Sequence, residues 1–258
     1  MARKHKSEML RALWHALFGV MAIIIGQVIP GEDDTKIRLV RWVGGVIVVL
    51  DVFIRLPLYH YFIKPLDKDV RHWGTIRMKI REVCILLEDV ILIKTRILRP
   101  TEREFLATAT PFVLGILIPL EFGAPLYAAM VGIIVLGFGD PAARETGVRI
   151  GINKVRENGK KSWEGFWGFV IVAGTAVIIS MILDWPFPTY PCCQLGQLTL
   201  ALVLGVFTGA FAELFDELVD AKTEKLGKWS RKMLRLFFDD NFAIPVTTAS
   251  VIALVMAI

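Results

Sequence analysis

The chain has 258 residues, of which 55% are hydrophobic, and it carries a formal net charge of +5. It contains several apolar runs of roughly 17–25 residues, the length that crosses a bilayer, and this pattern excludes an ordinary soluble domain. The cations lie between these runs, where membrane topology and lipid headgroups explain them, so no nucleic-acid partner is predicted. The three cysteines, Cys84, Cys192 and Cys193, lack the spacing of a metal site.

Seven apolar segments predict an all-α integral membrane protein, a bundle of about seven transmembrane helices forming a single domain over residues 1–258. The segments are roughly 9–29, 39–63, 105–120, 124–138, 165–183, 196–214 and 241–258. The first follows a basic N-terminus without a small-residue cleavage site, and is interpreted as an uncleaved helix. The second is weaker because it carries Asp51 and Arg55, which are interpreted as an ion pair within the helix.

Lysine and arginine are distributed unequally between the predicted loops. If the N-terminus is cytoplasmic, 26 of the 30 Lys and Arg residues lie in cytoplasmic segments, which are 1–11, 64–104, 139–163 and 215–239. The opposite loops hold only Lys36 and Arg38. The positive-inside rule therefore predicts a cytoplasmic N-terminus and a C-terminus on the opposite side. Segments 80–98 and 214–238 mix apolar and basic residues, and are predicted as helices in the headgroup plane or as connections packed on the bundle.

The segment 139–165 carries the densest polar chemistry, and it is expected to form a loop after the fourth span. Four glycines in it would allow tight turns and close approach of a ligand: Gly139, Gly147, Gly151 and Gly159. Three lysines offer charges suited to phosphates: Lys154, Lys160 and Lys161. Ser162 and Glu164 begin a helix whose N-terminal amides favour anions, and Asp140 offers an oxygen ligand for a divalent cation. The pattern predicts a nucleotide-phosphate site, and the alternative is a basic loop that only sets topology.

Polar residues near both ends of the chain lie beside predicted spans. His15 shares a helix face with Arg11 and Gly19, and is either a site residue or a hydrogen-bonding partner of another helix. Glu213 belongs to a group of carboxylates at the end of the sixth span, which repel one another unless a cation or nearby lysines relieve them. Before the last span, Asp239 is explained as a helix cap, whereas Asp240 and Asn241 are not.

Together these motifs resemble the CTP-dependent lipid kinases, namely dolichol kinase, phytol kinase and the yeast-type diacylglycerol kinase. The central pattern is G-D-x-x-A-x-x-x-G-x-x-x-G followed by K-S-x-E-G, carried here by Gly139, Asp140, Ala143, Gly147, Gly151, Lys161, Ser162, Glu164 and Gly165. Other pieces follow in the same order: R-x-x-x-H-x-x-x-G from Arg11, the segment 98–115, Glu213, and D-D-N-x-x-x-P from Asp239. The resemblance covers nearly the whole chain.

The resemblance implies transfer of the γ-phosphoryl group of CTP, with Mg²⁺, to the hydroxyl of a lipid alcohol embedded in the phospholipid bilayer. It implies Mg²⁺ on Asp140 and Asp240 with help from Glu213, and phosphate contacts from the lysines. Glu164 or Asp240 would orient or deprotonate the alcohol, and Asn241 and His15 complete the expected catalytic set. A polyprenol or dolichol-type alcohol is the favoured substrate, while phytol, geranylgeraniol and diacylglycerol stay open.

Two other functions are compatible with parts of the sequence. The CDP-diacylglycerol synthases are related and also use CTP, but cytidylyl transfer releases pyrophosphate where a kinase releases CDP. A membrane transporter is the alternative from a different class. It would place charges in the middle of spans and often shows inverted repeats, whereas here the charges gather on one face and no repeat is visible. The oligomeric state is left open, a homo-oligomer included.

Overall fold

Helices account for nearly all of the structure that the computed structural model describes, which covers 33–55, 74–87, 109–157, 159–183, 192–223, 237–258 and the single residues 17, 20 and 234. The first helix, α1, spans Asp33–Val49 and continues as a π-helix over Leu50–Arg55. The others are α2 (Thr75–Leu87), α3 (Ala109–Glu121), α4 (Leu126–Ile150), α5 (Trp163–Ile182), α6 (Cys192–Thr223) and α7 (Asp240–Ala257). No β-strand occurs in these ranges, which agrees with the predicted all-α class.

Four helices are long and apolar enough to cross a membrane, namely α4, α5, residues Leu195–Phe215 of α6, and α7. Helix α3 is also apolar but has only 13 residues, which is shorter than a bilayer requires. The chain is therefore an all-α membrane protein, as its hydropathy predicts. Seven spans and a cytoplasmic N-terminus stay predictions, because nearly all of 9–29 and the second half of 39–63 lie outside the described residues.

Helix α4 is the central helix of the bundle. Every residue from Leu126 to Gly137 is buried. In the most apolar 18 residues of α4, 83% are buried inside the protein, whereas the value for the corresponding stretch of α5 is 33%. Helices α5, α6 and α7 surround it, and their outward faces expose large apolar side chains such as Ile171, Ile182 and Leu200. An apolar surface of this kind is suited to lipid.

Glycines allow α6 and α7 to approach α4 closely. A Cβ at Gly132 of α4 would lie 2.9 Å from the carbonyl oxygen of Pro245 in α7. A Cβ at Gly209 of α6 would lie 2.8 Å from Thr248 Oγ1 of α7 and 2.9 Å from Val135 of α4. Small residues are the usual means of close helix packing in membranes, and here they bring the polar ends of three helices together.

Two predicted boundaries are wrong. The sequence places a loop from residue 139 onward, but α4 continues to Ile150. Ion pairs one turn apart, Asp140 with Arg144 and Glu145 with Arg149, stabilise this polar extension. The predicted surface helix at 214–238 does not begin at 214 either, because α6 continues to Thr223 through a run of good helix formers. Most of 224–238 lies outside the described residues.

The described residues belong to two compact units. In the unit that contains 42–55, 74–87 and 109–110, the buried Asp51 accepts a hydrogen bond of 2.5 Å from Thr110 Oγ1. The side chain of Arg55, its predicted partner, lies outside the described residues. Helix α2 of this unit overlaps the predicted surface segment 80–98 and exposes Ile76 and Val83. The other unit contains 33–41 and all described residues from 111 onward, including the candidate site.

Candidate metal and phosphate site

Three buried carboxylates from three different helices meet at one end of the bundle. Asp140 of α4, Glu213 of α6 and Asp240 of α7 each place a carboxylate oxygen within 4.8 Å of the other two. Their exposed fractions are 3%, 6% and 8%, so water screens them very little. Buried charges require partners or a bound ion, and one of these carboxylates has a lysine for this purpose. The three residues are the ones that the sequence predicts as metal ligands.

The first turn of α7 fixes the position of Asp240. Asp239 is the N-cap, and its carboxylate accepts a 3.0 Å hydrogen bond from the backbone N–H of Asn241. The side-chain amide of Asn241, which is 1% exposed, donates to Asp239 Oδ1 at 2.7 Å and to Asp240 Oδ1 at 3.1 Å. Asn241 therefore orients both aspartates, and the predicted capping role of Asp239 is confirmed.

Asp140 is positioned by the polar extension of α4. It precedes Pro141, which cannot donate a backbone hydrogen bond to the carbonyl of Gly137. The guanidinium of Arg144, one turn further on, lies 3.9 Å from Asp140 Oδ2. This is a long ion pair, and it leaves the Asp140 carboxylate close to Glu213 and Asp240.

Lys161 joins the connection between α4 and α5 to the carboxylate cluster. Its ammonium group donates to the side chain of Glu213 and, at 2.7 Å, to the main-chain carbonyl oxygen of the same residue. The Lys161 side chain is 20% exposed, so a ligand at the mouth of the cluster can reach it. Lys161 thus places a positive charge beside three buried carboxyl groups.

The connection itself, residues 151–162, folds back on itself as a short hairpin-like loop. The backbone N–H of Val155 donates to the carbonyl of Lys161 at 3.1 Å, and that of Trp163 donates to the carbonyl of Asn153 at 3.0 Å. Ser162 is the N-cap of α5 and accepts from the backbone N–H of Gly165 at 3.2 Å, which confirms the predicted helix start. These backbone hydrogen bonds therefore hold the two arms of the loop together, and Lys161 lies in the second arm.

Glu164 hydrogen-bonds to this loop. Its Oε1 accepts from the backbone N–H of Asn153 at 3.0 Å and from the Asn153 side-chain amide at 2.7 Å. Its Oε2 lies 3.3 Å from the same backbone nitrogen. Glu164 is predicted from the sequence as a catalytic residue, and these hydrogen bonds hold its carboxylate against Asn153.

Two of the four glycines have a different role from the one predicted, while the backbone N–H of Gly159 donates to the carbonyl of Arg156 in a turn, as expected. Gly139 and Gly147 do not form turns, because both lie inside α4. A Cβ at Gly139 would lie 2.5 Å from the ring of Phe169 in α5, and one at Gly147 would lie 3.2 Å from Ser162 Oγ. Gly151 does end the helix, and there a Cβ would lie 2.5 Å from Ser162 Oγ. These glycines let α5 and its cap pack against α4.

The structure separates the remaining predicted site residues. Asn241 lies beside the cluster, whereas the side chains of Lys154 and Lys160 are exposed on the loop. His15 lies outside the described residues. Two residues that contact the site, Asn153 and Arg144, are not predicted from the sequence. The spacing of Arg144 four residues after Asp140 was a usable signal, but nothing in the sequence pairs Asn153 with Glu164.

The donor atoms of the cluster are suited to a hard divalent cation. All three are carboxylate oxygens, which is the ligand type that Mg²⁺ and Ca²⁺ take, and Mg²⁺ is usually bound by one or two carboxylates together with phosphate oxygens. Comparison of the chain with protein-family models, with curated proteins and with solved structures finds no match.

Proposed function

We propose that this protein is a lipid kinase that transfers the γ-phosphoryl group of CTP to the hydroxyl of a membrane-embedded alcohol. The observation that carries the proposal is the convergence of Asp140, Glu213 and Asp240 with Lys161 at one end of the membrane bundle. Phosphoryl transfer asks a protein mainly to position the reactants and to neutralise phosphate charge. Buried carboxylates that can hold a cation and a lysine beside them supply these two functions.

The position of the cluster supports a lipid acceptor. Asp140 follows the fully buried part of α4, Asp240 begins α7, and Glu213 lies near the end of the apolar part of α6. A lipid alcohol would keep its chain among the helices and its hydroxyl at the interface, and ends of apolar segments such as these are expected at that depth. The choice of CTP and of a polyprenol-type alcohol rests on the resemblance of the motifs to the CTP-dependent kinases.

In this proposal, Asp140 and Asp240 hold Mg²⁺, and Lys161 contacts a phosphate. The ion, when bound, would offset the charge of the nucleotide phosphates. The alcohol oxygen forms the new bond to the γ-phosphorus, and the bond to the β–γ bridging oxygen breaks, so that CDP leaves. The hydroxyl proton goes to a carboxylate, and Asp240 is the candidate for this role because it lies in the cluster, oriented by Asn241.

One assay distinguishes the candidate functions. Protein purified into lipid nanodiscs is given CTP labelled in the γ-phosphate or in the cytidine, together with a polyprenol, geranylgeraniol, diacylglycerol or, as a lipid phosphate, phosphatidic acid. We expect the γ-label in the product of a lipid alcohol and the cytidine label in CDP. Cytidine label in the product of phosphatidic acid, with release of pyrophosphate, would identify a cytidylyltransferase. If no lipid supports turnover and the protein moves ions across the membrane of sealed vesicles, it is a transporter.

A further inference from the structure

The loop 151–162 is fastened at two points, and each fastening uses a carboxylate. Glu164 of α5 holds Asn153 at the beginning of the loop through its backbone N–H and its side-chain amide. Glu213 of α6 holds Lys161 at the end of the loop. Between these points, the hydrogen bond from Val155 N–H to the carbonyl of Lys161 links the two arms of the loop.

Through these hydrogen bonds, the contact of Glu164 with Asn153 affects the position of Lys161. Asn153 accepts from the N–H of Trp163 at 3.0 Å, and its pairing places the following residues opposite Lys161 and Ser162. If Glu164 did not hold Asn153, the first arm would lose its side-chain anchor, and the arm that pairs with Lys161 would be held by its backbone hydrogen bonds alone. A lysine side chain has many rotamers, so it needs a fixed backbone to keep its ammonium group in one place.

A general base, in contrast, must accept a proton from the substrate. The oxygen of such a base lies within hydrogen-bonding reach of the proton that it removes. Glu164 Oε1 already accepts two hydrogen bonds from Asn153, and Oε2 faces the same backbone N–H. Glu164 is also not a member of the carboxylate cluster in which the cation would bind.

We propose that Glu164 is a positioning residue, which acts through Asn153 and the loop to hold the Lys161 ammonium group at Glu213, where a nucleotide phosphate meets it. The assignment replaces the catalytic role that the sequence predicts for Glu164. The identity of the nucleotide rests on the proposed function, whereas the hydrogen bonds that hold the loop do not depend on it.

Three variants separate a positioning residue from a base. Glu164→Gln keeps a side-chain oxygen that can accept from Asn153 but removes the basic carboxylate, whereas Glu164→Ala removes both. Asn153→Ala removes the side-chain amide of the partner but keeps the backbone N–H that donates to Glu164. We expect Glu164→Ala to weaken CTP binding about five- to tenfold, and Asn153→Ala to weaken it by a smaller factor, because it removes only one of the polar contacts at a partly exposed site. Glu164→Gln should stay within about twofold of wild type, and the double alanine variant should be no worse than the poorer single variant.

If Glu164 is instead a general base, its replacement should lower turnover and leave CTP binding unchanged. Glu164→Gln would then lower turnover at saturating CTP by about a hundredfold or more, with CTP affinity unchanged, and Asn153→Ala would act independently. That outcome would overturn the proposal. Glu145→Gln is the matched control, because Glu145 lies nearby on α4 and pairs with Arg149 of its own helix.

A measurement that needs no nucleotide keeps the two proposals separable. Hydrogen exchange of the purified protein in nanodiscs should be faster at the Val155 and Trp163 amides in Glu164→Ala than in wild type, and unchanged in Glu145→Gln. If Glu164→Ala leaves these amides as protected as in wild type, the positioning role is wrong. If wild-type protein binds no CTP and phosphorylates no alcohol, the proposed function fails, and hydrogen exchange alone then decides whether Glu164 fastens the loop.

Discussion

The carboxylate cluster and the loop beside it are both polar, but they are built in different ways. The cluster consists of side chains held by the backbones of three helices, α4, α6 and α7, and it is nearly closed to water. The loop is held by its own hydrogen bonds and by Glu164, and its Lys154 and Lys160 side chains are exposed. The comparison predicts that the cluster tolerates substitution of Asp140 and Asp240 poorly, and that among the loop lysines Lys161 matters most, because it hydrogen-bonds to Glu213 of the cluster.

The largest effects are expected in the cluster. Asp140→Asn and Asp240→Asn keep the shape of each side chain and remove its charge, so each should lower Mg²⁺-dependent turnover by about a hundredfold or more while the protein is still expressed and inserted. Residues that act as a unit are not additive, so the double variant should be only slightly worse than either single one. Turnover is measured with labelled CTP and a polyprenol.

A purely structural role in the first turn of α7 is the alternative for Asp240, whose Oδ1 accepts hydrogen bonds from the backbone and side-chain N–H groups of Asn241. Asparagine keeps a side-chain oxygen that can accept these bonds, so a purely structural Asp240 would leave Asp240→Asn active. Near-wild-type turnover in Asp240→Asn would contradict the shared cation site, and near-wild-type turnover in Asp140→Asn would contradict the kinase assignment as well.

The next largest effect is expected at Lys161. Lys161→Ala removes the ammonium group that contacts Glu213, and it should raise the KM for CTP about ten- to hundredfold, since contacts to charged groups are stronger than neutral ones. Lys154→Ala and Lys160→Ala serve as controls and should change KM by about threefold or less. If all three variants behave alike, the lysines act only as a general positive charge.

Glycine packing provides a prediction about stability. Gly139→Ala adds a methyl group against the buried ring of Phe169, and overpacking of this kind typically destabilises a protein by about 1–3 kcal/mol. Gly174→Ala on α5 is the matched control, because nothing lies within 4 Å of the added Cβ. Thermal unfolding in detergent should show a lower Tm for the first variant and an equal or higher Tm for the second. Equal Tm values would mean that Gly139 is not a packing glycine.

The smallest effect is expected at the cap of α5. Ser162→Ala removes the side-chain acceptor for the backbone N–H of Gly165, and loss of an N-cap typically destabilises by about 1 kcal/mol. Ser162→Asp retains an acceptor but is larger, and Gly147 and Gly151 leave little room beside it. We therefore expect Ser162→Ala to lower Tm slightly and Ser162→Asp to lower it more. A higher Tm for the aspartate variant would show that the cap is less crowded than its contacts indicate.

The sequence was informative where a residue's position in a span determined its neighbours. Asp140, Glu213 and Asp240 each lie where an apolar segment ends or begins, and the charge pattern assigned these ends to the same side of the membrane. The starting points of α5 at Ser162 and of α7 at Asp239 were also predictable, because short polar side chains before apolar runs cap helices.

Sequence reasoning failed where a residue type serves two purposes. Glycine permits turns and also permits close helix packing, and only the structure shows that Gly139 and Gly147 pack inside α4. The extension of α4 to Ile150 is not predicted from the sequence, because charged residues after an apolar run usually mark the end of a membrane span, and here the helix continues past it. The contact of Glu164 with Asn153 depends on how the loop folds back, and no periodic pattern encodes that geometry.

The central claim is that the carboxylate cluster binds a divalent cation, and binding of Mn²⁺ tests this claim most directly. Mn²⁺ replaces Mg²⁺ at most oxygen-ligand sites. Because it is paramagnetic, its binding is detected by electron paramagnetic resonance. Titration of the purified protein in nanodiscs, with CTP present, should show one tightly bound Mn²⁺ ion in wild type. That signal should be lost in Asp140→Asn and in Asp240→Asn, and retained in Glu145→Gln. Equal Mn²⁺ binding in wild type and in both aspartate variants, or none in wild type, would contradict the account.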